Sequence, residues 1–242
     1  MDLLVITPSR GRPERLAEML AAIHATAALD IEVWIGLDDD DPAEYLRAVQ
    51  RSPLAFAHRV QAFHGERRSL AGWTNHLAAQ AVNPENPRTA PRYLASLGDD
   101  HIPRTPGWDQ QLVEAIEAMD GPGWAYGNDL LQGESIPTAW VQSTELVRTL
   151  GWMMLPTCQH LCVDSAVRSL GKAAGRIAYL RDVVIEHMHP AAGKADEDDT
   201  YAESNSAWRN YQDGNAYRRW LAEDLQRDAA TVRALTYAHL EA

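Results

Sequence analysis

The sequence predicts an α/β protein, with a mainly parallel sheet flanked by helices and a helical C-terminal segment. Three observations carry that expectation. Short apolar runs alternate with stretches of helical periodicity from the first residues onward. The runs are strand-length and lack polar alternation, as strands buried on both faces do. Each run then stops in a polar or acidic turn, where an open parallel sheet gathers its ligands.

Leu3 to Ile6 is the first such run, and Thr7-Pro-Ser-Arg-Gly-Arg-Pro13 is its loop. Pro13 suits a first helical position, because its φ is fixed and it has no N–H to satisfy. Leu16, Met19, Leu20 and Ile23 then recur at helical spacing. Ile31 to Leu37 is the second strand, ending in four aspartates, Asp38 to Asp41. A helix over Pro42 to Gln50 and a third strand over His58 to Phe63 follow. Leu70 to Ala81 is helical, with Trp73 and Leu77 on its apolar face. Asn83 to Pro91 carries three Pro and two Asn and reads as a surface loop. Tyr93 to Leu97 is the fourth strand, and Pro106 to Met119 is a helix ended by Gly121-Pro-Gly123.

The second half is less regular. Trp124 to Tyr126 and Thr138 to Gln142 read as strands. Ser143 is placed to cap a helix running to Leu150. Asp164 to Leu170 reads as a helix closed by Gly171. Ile177 to Leu180 and Val183 to Ile185 are short strands. Ala191 to Asp199 is polar and acidic, as a mobile loop would be. Helices follow from Tyr201, with Trp208, Tyr211, Tyr217, Trp220 and Leu225 as apolar contacts.

Composition narrows the function classes. The chain has 242 residues, 45% of them hydrophobic, enough for a sizeable core. A net charge of −12 argues against gripping duplex nucleic acid by its backbone. It leaves room for a nucleotide, whose diphosphate a cation and a few arginines can neutralise. Cys158 and Cys162 are the only cysteines. Without a second pair they point to reduced thiols rather than zinc. No apolar run approaches the roughly 20 residues of a spanning helix. Met-Asp-Leu-Leu-Val-Ile also lacks the basic start of a signal peptide, so a cytoplasmic protein is expected.

Four polar clusters fall at predicted strand ends: Thr7-Pro-Ser9, Asp38-Asp39, Asp99-Asp100-His101, and His187 with His189. A sheet that gathers them on one edge makes one pocket. Carboxylates suit Mg²⁺ or Mn²⁺, and an added imidazole tilts the preference to Mn²⁺. His187 and His189, two apart on a strand, share a face.

The order Ile6-Thr-Pro-Ser-Arg-Gly-Arg-Pro13-x-x-Leu16, an Asp after strand two and an acidic motif after strand four resembles the GT-A glycosyltransferases, closest to the family 2 type. Cys162-Val-Asp164-x-x-x-Arg168-x-x-Gly171 is similar to that family's acidic-residue helix. Ile177-Ala-Tyr179-x-x-x-Val183-Val-Ile-Glu-His187 resembles its late strand pair ending in His. The likeness spans about Leu3 to His189, and the order of the motifs makes it specific.

The resemblance implies a nucleotide-diphosphate sugar donor, a UDP-sugar above all, with Mn²⁺ or Mg²⁺ as cofactor. Thr7, Ser9 and Arg12 match the turn that cradles the nucleotide, and Asp38 matches the acid that contacts base or ribose. Arg68 and Asn75 sit near the helix that flanks the donor, with Trp73 as core. Asp100 is the expected metal ligand, with His101 and His187 beside it and Asp99 on the ribose or the metal. The register is open: Asp-x-Asp would begin at Gly98, whereas Asp99-x-His101 resembles the variant of some polypeptide N-acetylgalactosaminyltransferases.

Asp164 matches the catalytic base, which in inverting transfer takes the acceptor's hydroxyl proton. It could equally be an N-cap, and His160 and Glu145 are weaker candidates. Residues 1–190 form the expected catalytic domain. Residues 191–242 form a loop and helices that pack on it or make an oligomer contact. The acceptor, a hydroxyl compound, is not legible; a glycan, a protein, a modified nucleic acid and a small molecule all stay open. Two alternatives are weighed. A sugar-phosphate nucleotidyltransferase would carry a Gly-rich loop and a Lys after strand one, but here there is only Gly11. The other is a non-catalytic nucleotide-sugar-binding protein of the same fold.

Overall fold

The computed structural model describes residues 1–52, 54, 59–85, 91–196, 198, 201–202 and 206–236, without the side chain of residue 46. Its strands are β1 Leu3–Pro8, β2 Ile31–Asp38, β3 Val60–Gly65, β4 Tyr93–Ser96, β5 His101–Pro103, β6 Trp124–Asn128, β7 Trp140–Ser143 and β8 Ile177–His187. Its helices are α1 Pro13–Thr26, α2 Glu44–Arg51, α3 Leu70–Val82, α4 Trp108–Glu117, α5 Thr144–Leu150, α6 Val163–Ala174, α7 Ala207–Glu223 and α8 Leu225–Arg233. The strands form a sheet of order β3-β2-β1-β4-β7-β6-β8-β5. The β1–β2, β2–β3, β1–β4 and β6–β8 pairs are parallel, and β4–β7, β6–β7 and β5–β8 are antiparallel.

β1 shows why an uninterrupted apolar run lies at the centre. Successive side chains of a strand point to opposite faces. Leu3 and Val5 join a core layer with Leu16, Met19, Leu20 and Ile23 of α1. Leu4 and Ile6 join a second layer with Trp73, Leu77 and Ala78 of α3. Pro13 opens α1, with Glu14 in its first turn and His24 in its last, each at the favourable end of the helix dipole. Ser69 caps α3 by accepting from the Gly72 amide. A third cluster joins Trp124, Trp140, Val167 and Leu170 to Trp220, Ala229 and Val232 of the C-terminal helices. None of the described helices is long and apolar enough to cross a membrane.

Several expectations need correction. His101–Pro103, not assigned to any element from the sequence, is a strand that pairs with β8. The two short strands after residue 176 are one strand of 11 residues, and the pairing with β6 shifts register at Gly127/Asn128. Gly171 does not close α6. The helix passes through it and ends at Gly175, whose φ of 69° is the left-handed conformation that glycine favours. Position 171 needs glycine for packing, since a Cβ there would lie 2.6 Å from Ile177. Ser143 holds the N-cap position of α5, yet its hydroxyl accepts from the Gly123 amide instead. Trp208 and Tyr211 are exposed, whereas Trp220 is buried and Tyr217 and Leu225 pack against the third cluster. The thiols of Cys158 and Cys162 are free, as expected. His58, residues 86–90 of the expected surface loop, and residues 197 and 199 of the expected mobile loop lie outside the described residues.

Asp109 shows how α4 is fastened. It is fully buried, and its carboxylate accepts from the amides of Ala28 and Leu29 at the turn between α1 and β2. Asp109→Ala would leave two amides without partners, at about 1–3 kcal/mol each. Urea unfolding should show a loss of at least about 2 kcal/mol. A midpoint equal to wild type would refute this role.

Candidate active site

β1, β2 and β4 run parallel, so their carboxyl ends share one edge of the sheet. β1 leads to Ser9 and Arg12, β2 ends at Asp38, and β4 runs into Gly98-Asp99-Asp100. β8 reaches the same rim from the other half of the sheet. Its antiparallel register with β5 sets His101 directly opposite His187. The two imidazoles stack, with ring centroids 4.2 Å apart. A cleft of about 640 Å³ opens here, lined by Arg12, Asp38, Asp99, Asp100, His187 and Asp164 among others. The expected convergence of distant acid and imidazole groups is present.

The two adjacent acids have different surroundings. Asp99 Oδ2 accepts from the Ser9 hydroxyl, which also contacts Tyr45 Oη at 2.8 Å. Asp100 faces the imidazoles: its Oδ1 lies 3.0 Å from His101 Nδ1 and its Oδ2 3.5 Å from His187 Nε2. Tyr201 donates to Asp100 Oδ2 at 2.6 Å. Asp100, His101 and His187 each offer one ligand atom within 4.8 Å of the other two. The turn is tight: a Cβ at position 98 would lie 2.6 Å from Asp100 Oδ1 and 2.8 Å from His101 Nδ1. Glycine at position 98 leaves the space that the Asp100 and His101 side chains occupy.

The electrostatics follow from burying adjacent carboxylates. Burial and the charge of Asp100 push Asp99 up to about 7. Burial works to raise Asp100 too, but His101 and His187 outweigh it and hold that group well below the usual range. Burial pulls His187 down, yet the carboxylates of Asp100 and Asp129 carry it up to about 9. His101, buried beside His187, is lowered. Arg12 adds positive charge, its guanidinium 3.6 Å from Asp99 and 3.7 Å from Asp100. The same guanidinium forks onto Asp198 through two 2.7 Å bonds and lies over the Tyr201 ring.

Asp38 is buried at the cleft wall and fully engaged. Its Oδ1 accepts from Trp73 Nε1 at 2.7 Å and from the Arg68 amide, and its Oδ2 accepts from Arg10. Gly36 makes this possible, because a Cβ there would meet the Trp73 ring at 2.8 Å. Trp73 is 4% exposed, as expected for a core residue, though it reaches the cleft floor. Arg68 lines the cleft, with its guanidinium 5.4 Å from the Trp73 ring centre.

Two expected donor contacts are placed elsewhere. Thr7 is fully buried in β1 and lies outside the cleft lining. β1 runs on to Pro8, so Thr7 stays within the sheet, whereas Ser9, just past the strand's end, reaches the rim. Asn75 is consumed in packing: its Oδ1 accepts from the amides of Met153 and Met154, and its Nδ2 donates to the Met154 carbonyl.

Asp164 faces the cleft from the first turn of α6. It is not the N-cap; Cys162 holds that position with φ 65° and makes no side-chain cap. Burial raises the Asp164 carboxyl, partly offset by the Ser165 amide that donates to it at 2.6 Å. The segment leading to it is fixed from α7. The buried Asp213 carboxylate accepts from the amides of Gln159, His160 and Leu161 at 3.0, 2.9 and 2.8 Å. His160 lines the cleft, whereas Glu145 pairs with Arg148 on α5 away from it.

Tyr45, Asp129, Asp198, Tyr201 and Asp213 were missed by sequence reasoning. Each lies in a helix or loop whose local pattern is ordinary. Only Asn128-Asp129 after the apolar Trp124 to Tyr126 run offered a signal, because it repeats the strand-then-acid pattern of Asp38 and Asp99.

No protein-family model matches the sequence, and no curated protein does. Solved structures do match. The mannosyltransferase PcManGT from Pyrobaculum calidifontis, in complex with GDP-Man and Mn²⁺, superposes with a TM-score of 0.60 at 15% identity, over 94% of this chain and 77% of that one. S. aureus TarS 1-349 gives 0.58 at 12% identity, over 93% and 73%. Glucosyl-3-phosphoglycerate synthase from Mycobacterium tuberculosis, in complex with Mn²⁺, UDP and glucosyl-3-phosphoglycerate, gives 0.55 at 13% identity, over 79% and 75%. With its sheet, its flanking helices and the acidic turn after its fourth strand, the chain has the fold of the GT-A glycosyltransferases.

Proposed function

We propose that this protein is a metal-dependent glycosyltransferase that moves a sugar from a nucleotide-diphosphate donor, a UDP-sugar above all, to a hydroxyl acceptor with inversion. One observation carries the reading: a buried acid pair and two imidazoles share a cleft with a separate carboxylate, Asp164, whose pKa is raised. The superposed mannosyltransferase and synthase, with a nucleotide and Mn²⁺ bound, support it.

The residues suit a divalent ion. One carboxylate and two imidazoles are an appropriate donor set for Mn²⁺. His101 Nε2 is buried without a hydrogen-bond partner, which is costly in a site built only for packing. Asp100, His101 and His187 would hold the ion. When bound, it would neutralise charge growing on the leaving diphosphate. Arg12, whose planar fork here grips Asp198, has the geometry to grip a phosphate instead. Asp38 shapes the nucleotide end of the cleft by holding Trp73 and the Arg68 backbone.

Asp164 takes the proton. As the acceptor oxygen bonds to C1 of the sugar, the bond from C1 to the diphosphate oxygen breaks. The acceptor's hydroxyl proton passes to the Asp164 carboxylate. A raised pKa makes that carboxylate a stronger base than a free aspartate. Residues 1–190 supply this machinery. Residues 191–242 reach the same cleft through Tyr201 on Asp100 and Asp198 on Arg12, where they shape acceptor recognition or close over the donor, and Asp213 couples them to the segment before Asp164. The nucleotidyltransferase reading ranks lower, because the first turn has one glycine and no lysine.

Incubation with UDP-, GDP- and TDP-sugars and Mn²⁺ should release free nucleotide from one donor. No release from any donor, with nucleotide still bound, would favour a non-catalytic binder. Asp100→Ala should abolish Mn²⁺-dependent nucleotide binding, measured by calorimetry. Asp164→Asn should leave donor binding within about twofold while lowering kcat by at least about 100-fold, the low end for general base catalysis. Full turnover by that variant would remove the base assignment. Because the base must be ionised, kcat should rise with pH through a pKa above the ordinary aspartate range.

A further inference from the structure

We infer that Asp129 is the positioning residue of the cation site, holding the His187 ring so that Nε2 faces the metal. This rests on the cation reading above. Asp129 stands at the end of β6 and is 3% exposed. Its carboxylate is anchored on two sides. Oδ1 accepts from the amides of Leu131, Gln132 and Gly133 at 2.9, 2.7 and 2.8 Å. Oδ2 accepts from the Thr138 hydroxyl at 3.0 Å. The loop adopts a costly backbone to do so, with Leu130 at φ 58°, a region an L-residue seldom enters.

That anchored carboxylate is aimed at His187. The backbone amide of His187 donates to the Asp129 carbonyl at 3.0 Å, which fixes where the ring begins. Asp129 Oδ2 lies 3.9 Å from His187 Nδ1, while Nε2 points the other way, 3.5 Å from Asp100 Oδ2. Nδ1 has no hydrogen-bond partner. A shift of about 1 Å would bring it within hydrogen-bond distance of Asp129. An imidazole that ligates a metal through one nitrogen usually donates from the other, and a carboxylate there fixes the tautomer. Asp129 therefore accepts from Nδ1–H, keeping the ring proton there and leaving the Nε2 lone pair for the ion. The stack against His101 holds the ring plane.

Asp129→Asn tests this, because it keeps the size and an oxygen for the loop amides. It places an N–H₂ group, a donor, where Nδ1 needs an acceptor, so the ring proton moves to Nε2 and blocks ligation. Mn²⁺ affinity of the full chain, read by calorimetry or by the EPR signal of free Mn²⁺, should fall 10- to 100-fold, the usual effect of losing such a partner. The melting temperature of the metal-free variant should stay near wild type. Equal Mn²⁺ affinity in variant and wild type would overturn the inference and leave the glycosyltransferase reading standing. A wild type that takes up no Mn²⁺ would sink the cation reading and this inference with it. Should the variant fail to fold, ring ¹⁵N shifts of His187 in the Mg²⁺-loaded wild type decide the matter. A proton on Nδ1 and none on Nε2 supports the role, and a proton on Nε2 refutes it.

Discussion

Two adjacent carboxylates buried at the edge of a sheet are the constraint around which this molecule is arranged. Like charges a few ångströms apart in a dry site cannot both stay ionised unless positive charge or hydrogen-bond donors surround them. The protein supplies these from four separate places in the chain. Ser9 and Arg12 come from the first turn, His101 from the motif itself, His187 from the last strand and Tyr201 from the C-terminal segment. The result is asymmetric, with Asp99 pushed up and Asp100 pushed down. Such divergence marks groups with different tasks.

The scaffold that brings those places together is made of ordinary packing. Strand alternation sends Leu3 and Val5 to one layer and Leu4 and Ile6 to the other, so β1 is clamped from both faces. A clamped strand places its carboxyl end accurately, and Ser9 and Arg12 depend on that. Trp73 belongs to the core and to the site at once. Its ring lies against Gly36 while its N–H meets Asp38. Asp213 does the equivalent work on the opposite wall, tying α7 to the backbone before Asp164.

Much of this was legible in the residues. The acidic turn at Asp99 and Asp100, the late His187 and the carboxylate at Asp164 could all be picked out. Each follows an apolar run or precedes a helix, and such local patterns survive in sequence. Two other residues lie away from the cleft for local reasons. Thr7 was placed in the turn, but the strand runs to Pro8 and buries it. Asn75 was placed beside the donor, but its amide fastens Met153 and Met154, a contact that no spacing announces.

The sequence alone determined the strand–helix rhythm of the first half and which chain segments would end in acids. Those properties depend on side-chain period and on residues close in the chain. Only the tertiary structure decided the partners. Tyr201 meets Asp100 from 101 positions away, and Ser9 meets Asp99 from 90. His101 faces His187 only because an unexpected strand pairs with β8. Hydrogen bonds and ion pairs between remote groups are set by register and packing across the sheet, and a linear pattern carries no record of either.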